Sequence, residues 1–125
     1  MPFKNPSKVK IYYAHCKSVY GSQEELRDIN LLKRLGFRVL NPSDPIYREG
    51  WRTKRMAYGL DLLKQCQAIA FKQVPFHGIS AGVLQELKWA KELNIPIIEI
   101  PYKPIRKYKS MSIEETRDYI NGKSK

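Results

Sequence analysis

Acidic side chains are scarce in this chain, with 12 Asp and Glu against 23 Lys and Arg for a formal net charge of +11. Cysteine is nearly absent, and the two present, Cys16 and Cys66, lie far apart. That excludes a disulfide-stapled fold and reads as a reduced intracellular pair. With His15 and His77 they make none of the short spacings that metal sites use, so neither a metal nor another cofactor is expected. No apolar run approaches the ~20 residues that span a bilayer, and no low-complexity tract is present. The start "MPFKNPSK" is basic, but the following "VKIYYAHC" is too short and polar for a signal-peptide core, so a cytoplasmic location without membrane association is expected.

The excess of positive charge suggests a phosphate-bearing partner, a nucleotide or a nucleic acid. Its lysines and arginines are spread along the chain, with only "RTKR" (52–55) and "KPIRKYK" (103–109) locally dense. No recognised nucleic-acid motif accompanies them, which disfavours nucleic-acid binding as the main role.

Hydrophobic patterning gives a clear order of elements. "VKIYYA" (9–14) is rich in β-branched and aromatic residues and predicts a buried strand. "GSQEELRDINLLKRLG" predicts a helix, begun by a capping box of Ser22 and Glu25 and closed by Gly36. "FRVL" (37–40) is a short strand ended by the turn "NPSDP", and a polar aromatic loop leads to a second helix over roughly 53–65. "AIAF" (68–71), the helix of "GISAGVLQELKWAKE" (78–92), "IPIIEIP" (95–101) and a capped helix from Ser112 and Glu115 complete the chain. A chain of 125 residues has the size of one domain. The alternation predicts an α/β single-domain Rossmann-like (flavodoxin-like) parallel sheet of about four to five strands with helices on both faces. Ligands of such folds bind beyond the carboxyl ends of the strands, which selects the loops "AHCKSVYGS", "NPSDPIYREGW" and "KQVPFHGIS".

The helix at 78–92 carries two features that an ordinary amphipathic helix does not need. Gly82 weakens its first turn, and Glu86 falls at the edge of the stripe made by Val83, Leu87 and Ala90. Helical side chains lean toward the N-terminus, so Glu86 reaches over the space that Gly82 leaves empty. Two readings stand at this point. Glu86 is a carboxylate at the mouth of a ligand cleft, or it makes a surface ion pair, with Lys17 or Arg55, while Gly82 permits close helix packing.

Over about residues 9–101 the sequence resembles the nucleoside 2-deoxyribosyltransferase family and its nucleotide N-glycoside hydrolase relatives. The pieces that carry the resemblance are "IYYAH", "LGFRVLNPSDP", "YGLDLLKQCQAIAF" and "GISAGVLQELKWAKELNIPIIEI". The resemblance implies one such domain, with a basic tail and terminal helix over 102–125. It implies cleavage or transfer of the N-glycosidic bond of a (deoxy)nucleoside or nucleoside 5′-monophosphate, with Glu86 as nucleophile and Ser80 and Gly82 near the sugar or phosphate. Asp61 matches an acid found in relatives, though a helical wheel sets it apart from Met56, Leu60 and Leu63, which leaves a solvated Asp equally open. Relatives also carry an Asp just before strand three, where this chain has Gln67.

The implied substrate-binding set comprises Tyr13, His15, Lys17, Ser18 and Tyr20 after strand one, with Asp44 and Tyr47 after strand two. Lys17, Ser18 and Ser22 near a helix start could hold a 5′-phosphate, with simple capping the competing role for Ser22. Tyr20, Tyr47 and Trp51 are candidates to stack on a base, with loop packing equally open. The resemblance also implies a homodimer or higher homo-oligomer, to which the tail "PYKPIRKYKS", with Tyr102 and Tyr108, could contribute. The competing functions are a non-catalytic nucleotide-binding module, an NAD glycohydrolase and a nucleic-acid-binding protein.

Overall fold

Strand β1 (Lys10–Ala14) is buried from Ile11 onward and runs through the middle of the sheet. The computed structural model describes residues 6–100, 103–104 and 110–123. β1 pairs in parallel with β2 (Arg38–Leu40) on one side and with β3 (Ala68–Phe71) on the other. β4 (Ile97–Glu99) continues the parallel sheet beside β3. The full order is β2-β1-β3-β4-β5, the flavodoxin-like arrangement expected. The last strand differs from a purely parallel sheet, since β5 (Lys103–Pro104) runs antiparallel to β4. Too few residues separate the two for the long crossover that a parallel neighbour needs.

Alternation along the strands sends neighbouring residues to opposite faces. Ile11, Tyr13, Ala68, Ala70 and Ile98 pack with Leu32 and Phe37 under α1 (Gln23–Arg34). Tyr12, Ala14, Ile69 and Phe71 pack with Leu62 and Leu63 of α3 (Ala57–Leu63) and with Val83, Leu87 and Ala90 of α4 (Ala81–Glu92). This covering of both faces is what the continuous apolar strands predict.

The second predicted capping box forms in full and the first in its Ser22 half, since Glu25 Oε1 accepts from the Gly21 N–H and the Ser22 N–H donates to Val19 O. Ser22 Oγ accepts from the Glu25 N–H at 3.1 Å, and Ser112 and Glu115 exchange side chain–backbone bonds at the start of α5 (Ile113–Lys123). The helix predicted at 53–65 is instead two, α2 (Arg48–Lys54) and α3, broken at Arg55 with φ 54°. Tyr58 packs so closely on Gly50 that an added Cβ would collide with its ring, and Trp51 lies against Gly59. The two bare glycines let α2 fold back on α3 in a way that a single straight helix cannot. Among the described residues no helix is long and apolar enough to cross a membrane.

Candidate active site

A cleft of about 930 Å³ opens beyond the carboxyl ends of the parallel strands. His15, Cys16, Lys17 and Tyr20 line it from the loop after β1, Pro42–Pro45 from the loop after β2, and Ser80–Val83, Gln85 and Glu86 from α4. It therefore lies by the switch point between β1 and β3, where open α/β sheets bind ligands. Helix α5 forms a further wall with Ile113, Thr116, Arg117 and Ile120. Thr116 Oγ1 accepts from the Ala81 N–H at 2.9 Å, so α5 caps the first turn of α4. Ser80 occupies the N-cap backbone position but makes no side-chain cap bond, and its buried side chain lines the cleft.

Glu86 stands on the cleft at only 6% exposure, and among the described residues no cation pairs with it. The Tyr12 hydroxyl donates to Glu86 Oε2. Burial pushes the carboxyl up to about 7, against the opposing pull of the Tyr12 bond. The only heavy atom near a Cβ added at Gly82 is Met56 Cε at 3.9 Å. Gly82 therefore leaves open space beside the acid and does not serve a tight helix contact. These observations correct the ion-pair reading of Glu86, since neither Lys17 nor Arg55 reaches it.

A second polar cluster flanks the cleft. His15 stacks flat on Tyr13 at 3.8 Å. Its Nδ1 donates to the Tyr13 carbonyl at 2.9 Å and its Nε2 lies 2.8 Å from Glu25 Oε2. Burial raises the Glu25 carboxyl, but bonds from Ser43, His15 and the Gly21 N–H outweigh it and hold Glu25 below the usual range. Burial pulls the His15 imidazole below its usual range, against the opposing pull of the Glu25 bond. Ser43 Oγ donates to the same carboxylate at 2.7 Å, which ties the loop after β2 to α1.

Of the residues expected at the site, the structure brings Glu86, His15, Lys17, Tyr20, Asp44, Ser80 and Gly82 to the cleft, along with Trp51. Four others do not line it. Tyr13 points to the opposite face of the sheet and donates to Asp28. Its neighbour Tyr12 takes the place beside the acid, because only even-numbered residues of β1 face α4. Ser18 Oγ is buried without a hydrogen-bond partner, outside the cleft lining. Tyr47 packs against the core beside Tyr58. Asp61, proposed as catalytic from the resemblance, has a side chain 44% exposed and pairs with Lys54 Nζ at 3.0 Å. The α2–α3 fold-back supplies that lysine, and Asp61 is not brought together with Glu86.

Ser22 Oγ donates to Val19 O at 2.6 Å and accepts from Glu25 N, which fills the capping role. Gln67 lies at the amino end of β3, where its Oε1 accepts from Lys10 N at 2.8 Å. The position where the resembled family carries an acid is thus at the other end of the sheet from the cleft. Tyr12, Arg48 and Arg117 are site residues that the sequence reading did not select, and Arg55 was considered there only as an ion-pair partner of Glu86. The signal for Tyr12 was alternation, once α4 is assigned to its face. Tyr102, Tyr108 and the rest of the tail at 101–102 and 105–109 lie outside the described residues. Among the described residues no group of three His, Cys, Asp or Glu side chains is arranged to hold a metal ion. The chain matches no protein-family model, no curated protein and no solved structure.

Proposed function

We propose that the chain cleaves or transfers the N-glycosidic bond of a nucleoside or nucleoside 5′-monophosphate, with Glu86 as nucleophile. The observation that carries the reading is a buried, cation-free carboxylate facing a large cleft, held by Tyr12 and with open space beside it at Gly82. The resemblance to nucleoside 2-deoxyribosyltransferases supports the same assignment. Tyr12 holds Oε2 and leaves Oε1 as the attacking oxygen. As the C1′–N bond breaks, its electron pair departs with the base and positive charge builds on C1′ and the ring oxygen. An ionised Glu86 stabilises that charge and captures C1′ as an ester. Water or a second base then attacks C1′, the ester bond breaks, and the carboxylate is restored. With its pKa near 7, a substantial fraction of Glu86 is ionised at neutral pH.

The test is release of free base from deoxynucleosides, their monophosphates, ribonucleotides and NAD, followed by chromatography with Glu86→Ala alongside. Base release abolished by the substitution supports the assignment, and release that survives it refutes the nucleophile. A second reading, binding without turnover, is favoured by the position of Asp61 outside the cleft. Retained nucleotide binding with no base release from any substrate would establish it.

A further inference from the structure

Four cations line the cleft, and they come from three stretches of chain: Lys17 after β1, Arg48 and Arg55 at the two ends of α2, and Arg117 in α5. Among the described residues no hydrogen bond or ion pair engages the side chain of any of the four. Only two acids share the lining. Asp44 is already accepting from the Ile46 N–H at 3.0 Å, and Glu86 is bonded to Tyr12. Cations outnumber acids throughout the chain, and what marks these four is that they line one cavity with only two acids beside them.

Arg55 adds an independent sign. It sits at φ 54°, ψ −138°, a backbone conformation suited to glycine and unfavourable for any side chain. The position ends a helix, where glycine is the common solution. Among the described residues the Arg55 head group has no hydrogen-bond or ion-pair partner, so it gives the fold nothing through such contacts. It does give the cleft a charge.

We infer that the cleft takes a nucleoside polyphosphate, whose phosphate chain is held by Arg48, Arg55 and Arg117 beyond a first phosphate at Lys17. The inference rests on the reading of Glu86 as the acid that faces the sugar. A single phosphate ester carries only about −1.5 to −2 charges, and would leave like charges facing each other around the cavity. A polyphosphate matches the unpaired arginines, whose planar groups suit phosphate oxygens. The volume agrees, since about 930 Å³ is near the top of the ~300–1,000 Å³ usual for small-ligand sites.

The test is equilibrium binding to the full chain carrying Glu86→Gln, which prevents turnover. The ligands are the nucleosides of the common bases, their 5′-mono-, di- and triphosphates, and a single-stranded oligonucleotide. Affinity is expected to rise from mono- to triphosphate by roughly tenfold or more, as charge-assisted bonds are added. Arg48→Ala and Arg117→Ala each lose affinity by a factor that grows with the number of phosphates. Arg55→Gly weakens triphosphate binding yet raises the Tm of the free protein, an opposite pair of signs that a structural arginine would not give.

Equal affinity for mono- and triphosphate, or arginine variants that bind triphosphate like the parent, would overturn the inference. So would an oligonucleotide that binds more tightly than triphosphate and depends on the same arginines. Wild-type protein assayed in parallel separates this from the chemistry. Base release with a flat phosphate series sinks the polyphosphate site alone. A rising series with no base release from any member sinks the role of Glu86 alone.

Discussion

Tyr12 and Tyr13 are neighbours in β1, and each donates its hydroxyl to a buried carboxylate on the helix covering its face of the sheet. For Tyr12 the acceptor is Glu86 of α4, and for Tyr13 it is Asp28 of α1, each 6% exposed. What separates the two pairs is a lysine. Lys72 Nζ lies 3.0–3.1 Å from both oxygens of Asp28 and also meets Glu24 at 2.6 Å, so that acid is neutralised in place. Among the described residues no cation neutralises Glu86, which faces the cleft with its carboxyl pushed up to about 7. A buried acid with its own cation supports the fold, whereas one held only by a neutral hydroxyl stores a cost that a ligand can relieve.

That contrast can be broken from either side. The largest effect is expected from Glu86→Gln, which should lower base release by roughly 10³-fold or more as the loss of a nucleophile does. Asp28→Asn, on the other face, should leave base release within a few-fold of wild type. Steady-state rates for the two variants, measured side by side, check this.

Stability should respond in the opposite sense. Lys72→Met removes the cation that meets both oxygens of Asp28 and should destabilise the fold by about 2–4 kcal/mol in denaturant titrations. Glu86→Gln should stabilise it, with a definite pH dependence. The folded protein holds the Glu86 proton up to about pH 7, whereas the unfolded chain releases it near 4.5. Wild-type stability therefore falls as pH rises from 4.5 to 7 and levels off above that. The gain from Glu86→Gln is absent below pH 4.5 and reaches up to about 3 kcal/mol above pH 7. Thermal melts from pH 4 to 8.5 read it directly.

Smaller effects sharpen the picture. Tyr12→Phe removes the bond that holds the Glu86 pKa down, so the pH needed to ionise Glu86 should move upward. Thr116→Val removes the side-chain partner of the Ala81 N–H. It should cost about 1 kcal/mol, visible as a modest fall in Tm.

The sequence made the layering of the fold legible because its signals are local. Ser22 with Glu25 and Ser112 with Glu115 mark helix starts within four residues, and the apolar strands need both faces covered. The break at Arg55 was not legible, since it depends on Tyr58 meeting Gly50 and Trp51 meeting Gly59 across a fold-back. Glu86 and Gly82 stood out as a departure from an ordinary helix. Tyr12 did not, because two adjacent buried tyrosines give no phase until the covering helices are placed. Asp61 was chosen by resemblance, and its pairing with Lys54 depends on the same unforeseen fold-back. The convergence of Arg48, Arg55 and Arg117 joins distant parts of the chain and leaves no trace in local spacing.

The measurement that bears most directly on the contrast between the two acids is the rate of base release from pH 5 to 9, for wild type and Glu86→Gln. If Glu86 attacks as a carboxylate, the wild-type rate rises through a midpoint near pH 7 and that rise is missing from the variant. A rise of the same size and midpoint in Glu86→Gln would contradict it.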